Sequence, residues 1–217
     1  MSKTVGIVVF PGTNCEYDVA ESIETLGGNY KFIFHLETNL NSVDSLVIAG
    51  GFAHGDYLRP GAIARFSPVM ESLIKFANEG GPVVGICNGF QVLTEAGLLP
   101  GALQKNANLT FLCQPVVLKV ESTNSSFTNK LTVNSKVKLF INHFSGNYTC
   151  EQEVLTDLKE NDQILLTYVD NPNGSTENIA AICNTKRNVV GLMPHPERAI
   201  SELLGSTDGL YFFKSLI

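Results

Sequence analysis

The chain has 217 residues, 15 Lys and Arg against 21 Asp and Glu, a formal net charge of −6, and 44% hydrophobic residues. That composition supplies a full core and excludes a disordered or collagen-like chain. A pI near 5.2 with no dense basic run argues against a nucleic-acid partner, and no apolar run approaches the ~18 residues of a membrane-spanning helix.

The length suits one α/β domain over residues 1–217, with no repeat and no linker to divide it. Met1-Ser2-Lys3-Thr4 leads directly into a strand, so no signal peptide is expected. Five scattered cysteines (Cys15, Cys87, Cys113, Cys150, Cys183) read as reduced thiols of a cytoplasmic protein. None has zinc-ligand spacing, and no metal is expected.

The first half alternates strand and helix signals. Thr4–Phe10 is a β-branched run ended by Pro11-Gly12, and Thr13 or Asn14 is placed to cap a helix running to Leu26. Tyr30–Leu36 and Ser45–Ala49 follow as strands, and 62–78 carries a helical pattern through Ile63, Phe66, Met70, Ile74 and Ala77. Val83–Ile86 is a buried strand and Phe90–Ala96 a helix closed by Gly97. This order predicts parallel βαβ units in an open sheet covered on both faces. The second half reads as short strands at 115–121, 137–142, 163–169, 178–184 and 189–193 with little helix between them. They are expected to extend the sheet antiparallel, with hairpin residues Thr185–Asn188 and a closing helix from Asp208 to about Ser215.

The chemistry concentrates at Gly85-Ile86-Cys87-Asn88-Gly89, where a buried strand runs straight into a helix. This is a nucleophile-elbow pattern with sulfur in place of the serine hydroxyl. The helix N-terminus favours a thiolate, and the Asn88 N–H points where an oxyanion would form. The other four cysteines lack this context and read as packing residues.

A cysteine nucleophile needs a base held by a carboxylate. His35 lies in an apolar strand and reads as a packing residue, while His54 and His143 lie at loops or strand ends. His195 follows the strand 189–193 and is flanked by Pro194 and Pro196. The prolines predict an extended segment in which Glu197, two residues on, shares the histidine's side and orients it. Val47-Ile48-Ala49-Gly50-Gly51-Phe52 ends a strand on two glycines whose N–H groups, at Gly51 and Phe52, are candidates for the second oxyanion donor. In the polar loop that follows, Asp56 and Arg59 either pair with each other or present charge to a substrate or partner. No phosphate-binding glycine loop is present, so any ATP chemistry belongs to another chain. The residues alone leave open which amide a cysteine hydrolase of this kind would cleave, a γ-glutamyl peptide being one example, as well as a redox-active elbow cysteine and a non-catalytic interaction module.

The elbow and Pro194-His195-Pro196-Glu197 together resemble a class I (triad) glutamine amidotransferase. Phe10–Cys15, Gly50–Arg59, Gly61–Pro68, Cys87–Leu103, Pro194–Ala199 and Leu204–Gly209 extend the likeness over essentially the whole chain, toward the members serving purine biosynthesis. One departure is Phe144-Ser145-Gly146 after His143, where this family usually reads Gly-Glu-Gly. The resemblance implies a flavodoxin-like, mostly parallel sheet and hydrolysis of L-glutamine by Cys87, His195 and Glu197. Gly50, Gly51, Phe52, Asn88 and Gln91 are then expected to form the oxyanion and substrate site. It further implies no cofactor on this chain, and ammonia passed to a large synthetase subunit carrying ATP and Mg2+. A small bridging subunit is expected beside it, and formylglycinamide ribonucleotide is the expected acceptor.

Overall fold

A computed structural model describes residues 3–217; Met1 and Ser2, at the expected lead-in to the first strand, lie outside the described residues. The elements in chain order are β1 (Thr4–Val9), α1 (Glu16–Thr25), β2 (Asn29–Phe34), β3 (Ser45–Ile48), α2 (Pro68–Asn78), β4 (Val83–Ile86), α3 (Asn88–Glu95) and β5 (Ala102–Gln104). The second half adds β6 (Leu112–Val120), β7 (Lys136–His143), β8 (Asn147–Thr149), α4 (Gln152–Glu160), β9 (Ile164–Tyr168), β10 (Ile179–Cys183), β11 (Val189–Leu192) and α5 (Leu210–Phe213).

Nine strands form one sheet in the order β2-β1-β3-β4-β11-β10-β9-β6-β7. The run from β2 to β11 is parallel, and every pairing beyond β11 is antiparallel. This is the parallel sheet with antiparallel additions that the alternation in the first half and the strand run in the second predict, and it is flavodoxin-like, as the family resemblance implies. In β3, β4, β10 and β11 every residue is buried. Successive side chains on a strand point to opposite faces, so this centre is covered on both sides. β5 and β8 pair separately as a two-stranded ribbon.

Sequence pattern and structure part company where proline or a weak apolar stripe decides. The helical pattern over 62–78 is two elements, a 3-10 turn at Ala64–Phe66 and α2, separated by extended Ser67. Pro68 disfavours helical backbone at the residue before it and itself makes a good first helical residue. Phe66 is consequently left exposed. Helix α4 is not marked in the sequence because only Leu155 and Leu158 of its nine residues are buried. The closing helix is shorter than expected, Leu210–Phe213. Neither Thr13 nor Asn14 caps α1: Thr13 Oγ1 accepts from the Phe10 N–H, Asn14 Oδ1 accepts from the Cys15 thiol, and Cys15 itself holds the cap position.

The central strands and α3 set the site. Pairing of β11 with β4 puts Gly191 opposite Gly85 and Leu192 opposite Ile86, so the residues beyond both strands leave the same sheet edge side by side. The first turn of α3 lies almost on β3: a Cβ on Gly89 would stand 2.1 Å from the Ile48 carbonyl oxygen. Only glycine allows that approach, which is why the elbow needs one there.

Candidate active site

Cys87 sits between β4 and α3 at φ 52°, ψ −105°, a conformation rare for any side chain but glycine. Such strain persists only where surrounding structure imposes it. Here the Cys87 N–H donates to the Leu192 carbonyl, and the Cys87 carbonyl accepts from the N–H groups of Phe90 and Gln91. The sulfur is 3.8 Å from the Asn142 carbonyl oxygen and lines a cavity of about 740 Å³.

His195 is fully buried, and its N–H donates to the Phe140 carbonyl. Its Nδ1 lies 2.6 Å from Glu197 Oε1. A carboxylate only accepts, so Nδ1 carries the proton. Nε2 is buried with no hydrogen-bond partner. Burial works against a charged imidazole, but Glu197 and then Cys87 favour it, and the net result is a basicity well above that of ordinary histidine. The His195–Glu197 pairing is as expected, but the route differs. His195 is extended, whereas Pro196 opens a 3-10 turn that brings Glu197 back to Nδ1. A proline at the first position of such a turn sacrifices no hydrogen bond.

Gly50 joins the two halves: a Cβ there would stand 2.8 Å from His195 Cε1 and 3.5 Å from Cys87 Cβ. The next residue, Gly51, has φ +148°, and a Cβ would press on the backbone of Gly12, Thr13 and Asn14. One expectation is corrected here. The Phe52 N–H donates to the Gly12 carbonyl at 2.8 Å and is not available to an oxyanion. The Gly51 N–H has no acceptor among the described residues, leaving it and Asn88 at the start of α3 as the backbone donors at this edge.

The Asn88 side chain ties the walls together. Its Oδ1 accepts from the Ala53 N–H, and its Nδ2 donates to Asp56 Oδ1 and Gln91 Oε1. Gln91 Nε2 in turn donates to the Ser145 carbonyl at 2.6 Å, reaching the loop beyond β7. The Asp56–Arg59 pair does not form: Arg59 makes a two-pronged contact with Glu95 at 2.6 and 2.7 Å. Burial pushes the Asp56 carboxyl up to about 6, only partly offset by Asn88.

Two histidines behave differently from His195. His143 lines the cavity with both ring nitrogens unpartnered, and burial, then the neighbouring His195, lowers it to about 4. His54 bonds Ser67 Oγ and stacks edge-on against His35, and it does not line the cavity that holds Cys87. No sequence pattern marks Cys15 for the place it takes. Its sulfur, one ring nitrogen of His195 and a carboxylate oxygen of Glu197 lie within 4.8 Å of one another, and Arg198 donates to that sulfur at 3.4 Å. These are metal-ligand residue types, but the guanidinium already supplies a fixed cation there, and Glu197 Oε1 is taken by Nδ1.

An elbow cysteine beside a histidine–carboxylate pair, at the carboxyl edge of a mixed α/β sheet, is the nucleophile-elbow arrangement. The chain belongs to the CobB/CobQ-like glutamine amidotransferase family, whose domain matches residues 2–207. It is 55% identical over 217 residues to the phosphoribosylformylglycinamidine synthase subunit PurQ of Prochlorococcus marinus, covering 100% of this chain and 98% of the relative. It is 48% identical to the protein of the same name from Koribacter versatilis, covering 98% of this chain and 96% of that one. Among solved structures, a chain of PurLQS from Thermotoga maritima superposes with a TM-score of 0.92 at 39% identity, over 100% of this chain and 98% of that one. A glutamine amidotransferase from Thermotoga maritima shares the fold alone, with a TM-score of 0.59 at 15% identity over 91% of this chain and 77% of that one. The protein is therefore an enzyme of glutamine amide transfer. Among the described residues no helix is long and apolar enough to cross a membrane.

Proposed function

We propose that this chain is the glutaminase subunit of a phosphoribosylformylglycinamidine synthase, acting as one domain over residues 1–217 through Cys87, His195 and Glu197. The observation that carries the catalytic assignment is the buried, unpartnered Nε2 of His195 beside the strained cysteine, its tautomer set by Glu197 at 2.6 Å.

In this reading His195 takes the thiol proton, and the Cys87 sulfur attacks the side-chain amide carbon of glutamine. The carbonyl electron pair becomes an oxyanion facing the N–H groups of Asn88 and Gly51. Imidazolium His195 returns a proton to the nitrogen, the C–N bond breaks, and ammonia leaves a γ-glutamyl thioester. His195 then deprotonates water, which attacks the thioester and releases glutamate and the thiol. Asn88 and Gln91 hold the walls in register through their amides, and Gly50 leaves room for the imidazole.

The ammonia is consumed on a large synthetase subunit that carries ATP and Mg2+, with a small bridging subunit completing the assembly. There it converts formylglycinamide ribonucleotide to formylglycinamidine ribonucleotide. The names of the relatives support this partnership. The test is product formation by a reconstituted synthetase with glutamine or with ammonium chloride as nitrogen source. The reading requires glutamine-dependent synthesis to need this chain, while ammonia-dependent synthesis proceeds without it. Glutamine-dependent synthesis in its absence would overturn the assignment. Turnover by the chain alone is expected to be weak and strongly stimulated by the synthetase with its nucleotide substrate.

A further inference from the structure

The second oxygen of the Glu197 carboxylate goes unanswered. Oε1 is held by His195, but Oε2 is buried and accepts no hydrogen bond among the described residues. The guanidinium of the very next residue, Arg198, also leaves its buried Nε without a hydrogen bond. Guanidinium and carboxylate make some of the strongest side-chain hydrogen bonds, often two-pronged, and a buried carboxylate oxygen left bare is costly. Here that pair does not form. Arg198 turns to a far weaker acceptor and donates from Nη2 to the Cys15 sulfur at 3.4 Å.

The start of α1 turns it there. The Cys15 N–H is fixed on the Gly50 carbonyl at 3.2 Å and the thiol donates to Asn14 Oδ1 at 3.2 Å, so the sulfur lone pairs are left for Arg198. One turn on, Asp18 Oδ2 stands 3.8 Å from Arg198 Nε. The guanidinium has room to swing back, because Asp18, Glu21, Glu197 and Arg198 line a second cavity of about 550 Å³ that shares no wall residue with the one holding Cys87. The ionisable groups around His195 are Cys15 and Asp18 at α1, Cys87 at the elbow, His143 at the end of β7, and Glu197 with Arg198 on its own turn. Burial works against charge on the ring, and Glu197 does most to restore it. A guanidinium bonded to Oε2 would draw that carboxylate's charge away from the imidazole.

We infer that Cys15 and Asp18 hold Arg198 off Glu197, which keeps the carboxylate's charge for His195. Cys15 and Arg198 are then positioning residues, reaching the reaction only through the histidine–carboxylate pair. This rests on the glutaminase reading above and adds to it what sets the strength of its base.

The experiment follows the His195 ring through a pH titration by NMR, on the full chain with carbon-13-labelled histidine. There are four histidines, and His195→Gln assigns the signal. Cys15→Ala removes the acceptor and should move the titration toward acid by roughly one pH unit or more. The acid limb of kcat/KM for glutamine, assayed with the synthetase, should move with it. Cys15→Ser keeps an acceptor and should titrate as wild type does. Arg198→Met should titrate at or above the wild-type midpoint, and adding Cys15→Ala to it should change nothing further. A cysteine that only fills space would act equally in both backgrounds. The signal of unfolded chain is resolved from that of the fold, so a partly unfolded preparation still reports. A midpoint that Cys15→Ala leaves in place or moves toward alkali, or an equal acid shift in the Arg198→Met background, would overturn the inference. A wild-type chain that gives the expected titrations but hydrolyses no glutamine with the synthetase would instead remove the glutaminase reading beneath it.

Discussion

Replacing Gly50 by alanine adds one methyl group at the junction of nucleophile and base. The new carbon would lie 2.8 Å from His195 Cε1, 3.3 Å from Cys15 Sγ and 3.5 Å from Cys87 Cβ. Carbon contacts are comfortable at about 3.5–4.0 Å, so the imidazole must give way by roughly 0.7 Å or more. It has little room to do so. The ring is fully buried, Nδ1 is 2.6 Å from Glu197, and the residue's N–H is anchored to the Phe140 carbonyl at 2.8 Å. A misplacement near 1 Å in a reacting group costs on the order of 10²-fold, so kcat should fall about 10- to 100-fold. Overpacking by one carbon should destabilise the fold by about 1–3 kcal/mol, leaving it folded at 25 °C. Steady-state glutaminase assays, with urea unfolding of the same preparation, separate the two effects. Full kcat with unchanged stability would refute the packing argument and, with it, the placement of His195 against Cys87.

Other substitutions probe separate parts of the account. Glu197→Gln keeps the shape but removes the charge that favours imidazolium at His195, and kcat should fall by about 10²-fold or more, with its pH profile displaced. The Asp56 carboxyl is raised from 3.8 to about 6 in the fold, so the native chain holds that proton more tightly than the unfolded chain. Its ionisation therefore costs nothing below about pH 4, and the cost grows up to about pH 6 and stays. Asp56→Asn should accordingly stabilise the ligand-free chain by about 1 kcal/mol at pH 7.5, a figure reduced for partial solvent screening, and by nothing at pH 4, as read from urea midpoints. Phe90 is fully buried, stacks on Tyr148 at 5.9 Å between ring centres and fills the space over Gly191. Phe90→Ala should cost about 3–5 kcal/mol in urea unfolding.

The parts of the fold legible in the sequence are those with a local physical cause. Continuous β-branched runs mark β1, β4 and β11, and the glycines flanking Cys87 mark the elbow, because a strand turning directly into a helix tolerates little else. Pairing of His195 with Glu197 is also legible, though the prolines produce it through a 3-10 turn and not an extended chain. What sequence reasoning misses depends on contacts between distant segments. Whether the Phe52 N–H is free turns on the Gly12 carbonyl, far back in the chain. Arg59 takes Glu95 over the nearer Asp56 because α3 brings that carboxylate alongside it. Cys15 has the sequence surroundings of a packing cysteine, and only the closeness of α1 to the turn after His195 puts it against Arg198. Helix α4 is illegible because two buried leucines on a polar segment are too faint a stripe.

The central claim is that Cys87 is the residue that bonds to glutamine. Incubation with a glutamine-mimicking diazoketone, followed by intact mass and peptide mapping, tests it most directly. The measurement is made on the chain alone and on its complex with the synthetase. The account predicts a single adduct on Cys87, suppressed by excess L-glutamine, with Cys15 unlabelled although it lies against the same histidine. Labelling of another cysteine, labelling that glutamine does not suppress, or no adduct in either preparation would contradict it.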